Sequence, residues 1–459
     1  MAEWLPRLDQ IDTPRYGAIV DALERDIASG TLVSGTRLLP QREMAGLLGV
    51  SVGMVSRAYA EAERRGLIRG EVGRGTFVDN RPSPAAEPRR DAGPGLVDLA
   101  LNVPPDTGAT ALVETLLAEI AGDSSVHGLC AYLPHQGMAE HRAAVADWLE
   151  ETGYPVSAER VYITHGAQHG LFLALSMVAA SGDTILTEEL TYAGITSLSA
   201  LSGYRIHGVR MDGHGLVPEA LDTALGETGA RAVYAMPTYQ TPTGRSMPPE
   251  RRREIAEVVR RRDAWFIEDD AYGFLPHEPL LPVSAMIPER AFYAVSFAKC
   301  LSPGLRIGAL VPPTAFRGQA INALRATGWM ATPAMAEVVR RAIRGGQLAD
   351  QARRKREEAM KRQRAAQAAL GTWLSPVSVP GGFHVWLELP RGRTLDTLIA
   401  QANSSGLRLA ASSAVGGGNG NQLNGVRLCL GGAESLEALE GALKRIAEIV
   451  GSVEEISLV

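Results

Sequence analysis

From Leu96 onward the chain alternates short strand-like runs with helical patterns, and no other feature restricts the possible folds as much. The runs RVYIT, DTILTE, RIHGVR, RAVYAMP, AWFIEDD and AFYAVSF are short and apolar, and helical stretches separate them. When a helix intervenes between successive strands, the strands pair in parallel, which predicts a mostly parallel α/β sheet lying between helices. From about Trp373, strands such as GFHVWLEL and GVRLCLG, with terminal helices, predict a smaller α+β C-terminal subdomain.

The N-terminal part reads differently. Ile19, Val20, Leu23 and Ile27 share one helical face between Pro14 and Gly30. After GTRLLPQ, REMAGLLG is a short helix ending at Gly49, and Ser51 can cap a third helix running to Gly66. LIRGEVGRGTFV then supplies two short strands around Gly73-Arg74-Gly75. This order of elements is a helix-turn-helix followed by a wing, and it predicts a mostly α winged-helix domain over residues 12–79. The stretch NRPSPAAEPRRDAGPG has no apolar period and cannot bury enough surface to fold alone, so residues 80–95 read as a linker to a domain spanning 96–459. A chain of 459 residues exceeds what one core usually supports, in keeping with two domains.

Composition narrows the setting. No apolar run is long enough to span a bilayer, and the N-terminus lacks the basic start and apolar stretch of a secretory signal, so we expect a cytoplasmic protein without a membrane partner. Cys130, Cys300 and Cys429 are widely spaced and lack metal-ligand patterning; they read as reduced core thiols, with no metal site. Lysine occurs only at Lys299, Lys355, Lys361 and Lys444. Lys299 alone follows an apolar strand, where a point charge needs a reason to be.

The N-terminal motifs LPQRE, LGVS, AYAEAERRGL and GRGTFV resemble the winged-helix domain of the GntR family of transcription regulators. The resemblance implies a double-stranded DNA partner faced by Gln41, Arg42, Ser51, Gly53, Arg57 and Arg74, with the third helix in the major groove. Val52 and Met54 stand where that family usually has arginine and threonine. Between Arg37 and Arg74 there are seven arginines and four acids, each neutralised phosphate contributing roughly one unit of salt slope; two copies on paired half-sites would double the contacts, so the DNA-binding species is expected to be a homodimer.

In the larger domain, Lys299 follows the strand of SFAK, and Asp269 and Tyr272 follow the strand of WFIEDDAYGF, so these groups should open on one edge of the sheet. The turn THGAQHG opens a helix and would present the amides of Ala167 and Gln168 to an anion. Arg306, seven residues beyond Lys299, offers a guanidinium fork, and Ser296 a hydroxyl. Tyr192 in ELTYAG could stack on a ring. An amine to condense with an aldehyde, a carboxylate for a pyridine nitrogen, a hydroxyl for a ring oxygen, a stacking aromatic and a phosphate cup are what pyridoxal 5'-phosphate requires.

Here the chain resembles fold-type-I aminotransferases, and more narrowly the aminotransferase-like domain of MocR-type GntR regulators. That resemblance places the covalent cofactor link on Lys299, the ring-nitrogen partner on Asp269, the ring-oxygen donor on Tyr272 and phosphate contacts on Ala167, Gln168, Ser296 and Arg306. It also implies that Tyr132, in YLPHQG, reaches the phosphate of a neighbouring subunit, and that Arg427, in GVRLCLG, grips an effector carboxylate. Thr241 stands where aminotransferases carry asparagine before Pro-Thr-Gly. The glycine run Gly416–Asn421 lacks the lysine of a phosphate loop, and ARRKREEAMKRQR has acids at helical spacing and reads as a solvated helix.

Taken together, these features read as a pyridoxal-phosphate-dependent regulator that binds DNA and senses an amino compound or the cofactor itself. The alternatives are a working aminotransferase with an accessory DNA-binding module, and a cofactor-free dimerisation scaffold.

Overall fold

The computed structural model describes residues 4–6, 16–28, 32, 36–64, 67–71, 75–78, 96–124, 126–377, 380–390, 393–410 and 425–452. Arg74, the linker 80–95 and the glycine run 416–421 lie outside the described residues. The described residues fall into two compact units, those up to Val78 and those from Leu96.

The first unit contains α1 (Tyr16–Ala28), α2 (Gln41–Leu48), α3 (Val52–Arg64), β1 (Ile68–Glu71) and β2 (Gly75–Val78). Ile19, Val20, Leu23 and Ile27 of α1 are buried against Met44 of α2 and Val55, Ala58, Tyr59 and Ala62 of α3. Gly49 ends α2 in the left-handed region (φ 65), which costs glycine little, and its amide donates to the Ala45 carbonyl. Ser51 Oγ accepts from the Met54 amide at 3.3 Å and so caps α3. β1 and β2 pair antiparallel, and Arg37 forms a further bridge to Phe77. The buried Tyr59 hydroxyl donates to the Leu39 carbonyl at 2.7 Å, tying α3 to the segment before α2. Tyr59→Phe leaves that acceptor unsatisfied and lowers the stability of this unit by about 1 kcal/mol, read as an earlier denaturant midpoint of its unfolding.

The second unit carries β3 (Val97–Asp98), β4 (Tyr162–Thr164), β5 (Thr184–Glu188), β6 (Arg205–Val209), the hairpin β7 (Met211–Asp212) and β8 (Gly215–Leu216), β9 (Ala232–Ala235), β10 (Trp265–Asp269), β11 (Ala291–Ser296), β12 (Gly308–Val311), β13 (His384–Glu388), β14 (Leu407–Arg408) and β15 (Gly425–Cys429). Seven strands form one sheet in the order β4-β12-β11-β10-β9-β5-β6, in which β12 runs antiparallel to both its neighbours and the other pairings are parallel. Consecutive residues point to opposite faces: Ile267 and Phe292 enter one apolar core, while Phe266 and Ala291 enter another with Ile255 and Val259 of the helix Pro249–Arg261. Both faces are therefore covered, as apolar strands without polar alternation require.

A third core holds the smaller subdomain, in which β13 pairs antiparallel with β15 and the helix Leu436–Gly451 supplies Leu439, Leu443 and Ile446. Leu99 also enters this core, and β3 pairs in parallel with β14, so the residues that open the domain belong with those that close it.

Two expectations are corrected. The stretch ARRKREEAMKRQR lies in the helix Gln347–Leu370, which is solvated on one side only: Lys355 is 1 % exposed and its Nζ donates to the Pro105 carbonyl at 2.9 Å, while the buried Arg362 donates to the Leu430 and Ala433 carbonyls. A long aliphatic stem with a carbonyl at its tip lets such a charge enter a core. Of the three cysteines, Cys300 and Cys429 are buried, but Cys130 is exposed.

Candidate functional site

The chemistry-bearing groups gather at the carboxyl ends of β10 and β11, which lie side by side in parallel with Asp269 opposite Ala294. Asp269 is the last residue of β10, Tyr272 lies three residues on, Ser296 ends β11, and Lys299 follows in the next turn. Adjacent parallel strands deliver their C-terminal residues to one rim, which explains how positions 269 and 299 come together.

Asp269 is buried. Its Oδ2 accepts from the Tyr234 hydroxyl at 3.0 Å, whereas Oδ1 is buried without a hydrogen bond of ordinary geometry, and the nearby Ala271 amide favours the ionised form. Burial pushes the carboxyl up to about 7, against the hydrogen bond from Tyr234 and the attraction of Lys299. An enclosed carboxylate oxygen without a donor fits a protonated pyridine nitrogen. Lys299 is half-buried, and its Nζ donates to the Asn102 carbonyl. Burial lowers it to about 8, and the guanidinium groups of Arg427 and Arg306 add to the effect. Only the neutral amine is a nucleophile, so uptake of pyridoxal phosphate should accelerate roughly tenfold per pH unit below pH ~8 and level off above it. The measurement is the rate of appearance of the visible absorption band in the cofactor-free protein as a function of pH.

The start of the helix that follows β4 offers an anion-binding geometry built from backbone. The helix Gly166–Val178 starts directly after β4, so the first-turn amides of Ala167 and Gln168 have no partner within the helix. A Cβ on Gly166 would lie 2.8 Å from Arg306 Nη2, which places that guanidinium over the helix start. A Cβ on Gly308 would lie 2.7 Å from the Gly166 carbonyl carbon and 2.8 Å from the Ala167 amide nitrogen, so only glycine lets β12 approach so closely. Arg306 adopts φ 51, a left-handed conformation that costs a non-glycine residue about a kcal/mol or more and is common where a side chain is aimed for a purpose. Ser296 Oγ accepts from the Ala298 amide at 3.2 Å. The Gln168 side chain donates to the Gly194 carbonyl at 2.8 Å and fastens the cup to the turn that carries Tyr192. Burial raises the Tyr192 phenol, and it lies within the electrostatic reach of Asp269, Arg306 and Arg427.

Arg427, on β15, donates through Nη2 to the Ala100 carbonyl at 2.9 Å, while its Nε is buried without a partner. The structure therefore brings Asp269, Tyr272, Lys299, Tyr192 and Arg427 within electrostatic reach of one another, with Arg306 and the helix start at Ala167 and Gln168 beside them. It does not bring Tyr132 there: that residue is 85 % exposed and rests on Trp329, with ring centroids 5.6 Å apart.

Four residues of the site carry no motif. Tyr234 supports Asp269; Asn102 touches both Lys299 and Tyr272; His384 stands against Tyr272 with ring centroids 5.8 Å apart; and Glu188, raised to about 8 by burial, accepts from the Gln240 side chain at 3.2 Å.

In the N-terminal unit, Gln41, Arg42, Ser51, Gly53 and Arg57 are all exposed. The Ser56 hydroxyl donates to Gln41 Oε1 at 2.6 Å, which leaves the Gln41 amide hydrogens pointing outward as donors. Val52 is also exposed, so α3 offers an apolar group at its start.

A winged helix and a parallel sheet with an amine and a carboxylate at its rim define a class: a DNA-binding domain joined to an aminotransferase fold. Residues 94–446 match the family "Aminotransferase class I and II", and residues 15–78 match "Bacterial regulatory proteins, gntR family". The chain belongs to the class I and II aminotransferase family and carries a GntR helix-turn-helix domain at its N-terminus, the combination of MocR-type regulators. It is 28% identical over 451 residues to the HTH-type pyridoxine biosynthesis transcriptional regulator PdxR of Corynebacterium glutamicum, covering 94% of this chain and 95% of that one. It is 30% identical over 340 residues to the 2-aminoadipate transaminase of Thermus thermophilus, covering 70% and 83% respectively. Its fold is similar to that of an archaeal alanine:glyoxylate aminotransferase, with TM-score 0.72 and 22% identity over 78% of this chain and 91% of that one. Pyridoxal 5'-phosphate is the cofactor of this domain.

Proposed function

We propose that this protein is a cytoplasmic, homodimeric transcription regulator that binds operator DNA through α3 and reads out an amino compound, or pyridoxal phosphate itself, through its aminotransferase domain. The observation that carries this reading is the pairing of Lys299 with Asp269 at one sheet rim in a chain whose helix-turn-helix keeps Arg42 and Arg57 exposed. The name of the Corynebacterium relative, a regulator of pyridoxine biosynthesis, supports it. No described helix is long and apolar enough to cross a membrane.

Bound pyridoxal phosphate supplies an aldehyde that condenses with amines and a ring that withdraws electrons. Lys299 would hold the aldehyde carbon, Asp269 would accept the ring N–H, and the Tyr272 hydroxyl would donate to the ring oxygen. Ala167, Gln168, Ser296 and Arg306 would hold the phosphate, Tyr192 would stack on the ring, and Tyr132 would serve the site of a second copy. Arg427, with an unpaired Nε, takes the carboxylate of an amino-acid effector. A ligand moves the protein between domain arrangements only through a difference in affinity for them, so effector and DNA must affect each other's binding equally.

The similarity to 2-aminoadipate transaminase favours a second reading, catalytic turnover. Selection from random duplexes with the cofactor-loaded protein tests the first: enrichment of paired half-sites supports a dimeric regulator, and no enrichment removes it. Mixing the loaded protein with an amino acid and a 2-oxo acid as amino acceptor tests the second, since a transaminase then releases a new amino acid and a new 2-oxo acid over many turnovers, whereas a regulator reaches a stable spectrum without accumulating product.

A further inference from the structure

Between the Lys299 amine and the Tyr272 ring lies a residue that no motif marks. Asn102 comes from the segment between β3 and the helix Ala109–Gly122, far in sequence from everything it touches. Its backbone carbonyl accepts from Lys299 Nζ, its Nδ2 lies 2.7 Å from the Tyr272 hydroxyl and 3.3 Å from His384 Nδ1, and its Oδ1 is buried without a partner.

The direction of these hydrogen bonds follows from a group that has no choice. The Gln240 carbonyl can only accept, and His384 Nε2 lies 3.0 Å from it, so Nε2 carries a proton. Burial, reinforced by Arg427, lowers His384 to about 3, which keeps the ring neutral, so Nδ1 is an acceptor and requires a donor. The carboxamide of Asn102 therefore turns its NH2 toward His384, and the same NH2 meets the Tyr272 oxygen. A phenol that accepts there keeps its own proton for another partner.

We propose that Asn102 is a positioning residue that, held in orientation by His384 and the Gln240 carbonyl, fixes Tyr272 as a hydrogen-bond donor toward the cofactor's ring oxygen. This rests on the reading of Lys299, Asp269 and Tyr272 as cofactor residues. Donation into Tyr272 polarises its O–H and strengthens what it gives onward. A more strongly solvated ring oxygen lowers the proton affinity of the bound cofactor, so Asn102 lowers the pH at which its visible absorption band changes. The other titratable groups around Tyr272 are Arg427, Cys429, Asp269 and Lys299. All of them remain when Asn102 alone is changed.

The test is a spectral pH titration of the full-length, cofactor-loaded protein. Asn102→Ala is expected to move the midpoint upward by about one pH unit, a tenfold change in proton affinity. Asn102→Asp, nearly the same shape but able only to accept when ionised, should move it at least as far and serves if the alanine variant does not fold. Tyr272→Phe should raise the midpoint as well, and Asn102→Ala added to Tyr272→Phe should then change nothing, because the amide acts through the phenol. An unmoved midpoint in both Asn102 variants, or an additive shift in the double variant, overturns the inference. Absence of any visible band in the wild-type protein with added pyridoxal phosphate overturns instead the reading on which it rests.

Discussion

Lys299→Ala is expected to abolish the visible absorption band that the wild-type protein acquires with pyridoxal phosphate, while leaving the thermal unfolding of the large domain nearly unchanged. The band needs an imine, and an imine needs a neutral primary amine beside the aldehyde. Lys299 supplies one because burial, with Arg427 and Arg306 nearby, lowers it to about 8. No other lysine can substitute. Lys355 is committed to the Pro105 carbonyl in the core, Lys361 is paired with Glu358 at 3.6 Å on the solvated side of its helix, and Lys444 lies exposed on the helix of the smaller subdomain. Stability should survive because removing a buried amine also removes the cost of burying it. Absorbance of the purified variant after incubation with cofactor and desalting checks the prediction, and a retained band would move the covalent link elsewhere.

Arg42→Ala combined with Arg57→Ala is expected to weaken operator binding on the order of a hundredfold or more and to flatten its salt dependence. Both arginines are exposed, one on α2 and one on α3, so neither substitution disturbs the core formed by Met44, Val55 and Tyr59. In a dimer the double change removes four cations; at roughly one unit of slope per phosphate contact, the plot of log affinity against log salt should lose about four units. Titrations of labelled operator at several salt concentrations measure both quantities. A preserved slope would mean that these arginines do not meet phosphate. Val52, exposed at the start of α3, bears instead on which bases are accepted, since an apolar side chain there can contact a thymine methyl but cannot bond to guanine.

Much of this was legible beforehand because it depends on local pattern. Apolar runs separated by helices specify a parallel sheet covered on both faces, and Asp269, Tyr272, Ser296 and Lys299 follow two of those runs, so their meeting at one rim follows from strand direction alone. The helix start at Gly166 was readable for the same reason, since a glycine between strand and helix marks both a turn and an anion site. Asn102, His384 and Tyr234 were not readable. Asn102 lies 170 positions from Tyr272 and 282 from His384, and asparagine in a proline-rich turn has no periodic signal. Tyr234 sits inside β9 and looks like any aromatic residue of a buried strand. The burial of Lys355 is not readable either, because helical spacing of charges says that one side is wet and does not say which lysine lies on the other. The entry of Leu99 into the smaller core is likewise a matter of closure, as the chain returns through β14 to pair with β3.

In the proposed regulator, occupancy of the Lys299 site and grip on DNA are linked. The most direct measurement is operator affinity for the same protein in three states: cofactor-free, loaded with pyridoxal phosphate, and loaded in the presence of an amino acid. Linkage requires that at least two of these affinities differ by about fivefold or more, and that the difference vanish in Lys299→Ala. Equal affinities in all three states would contradict it.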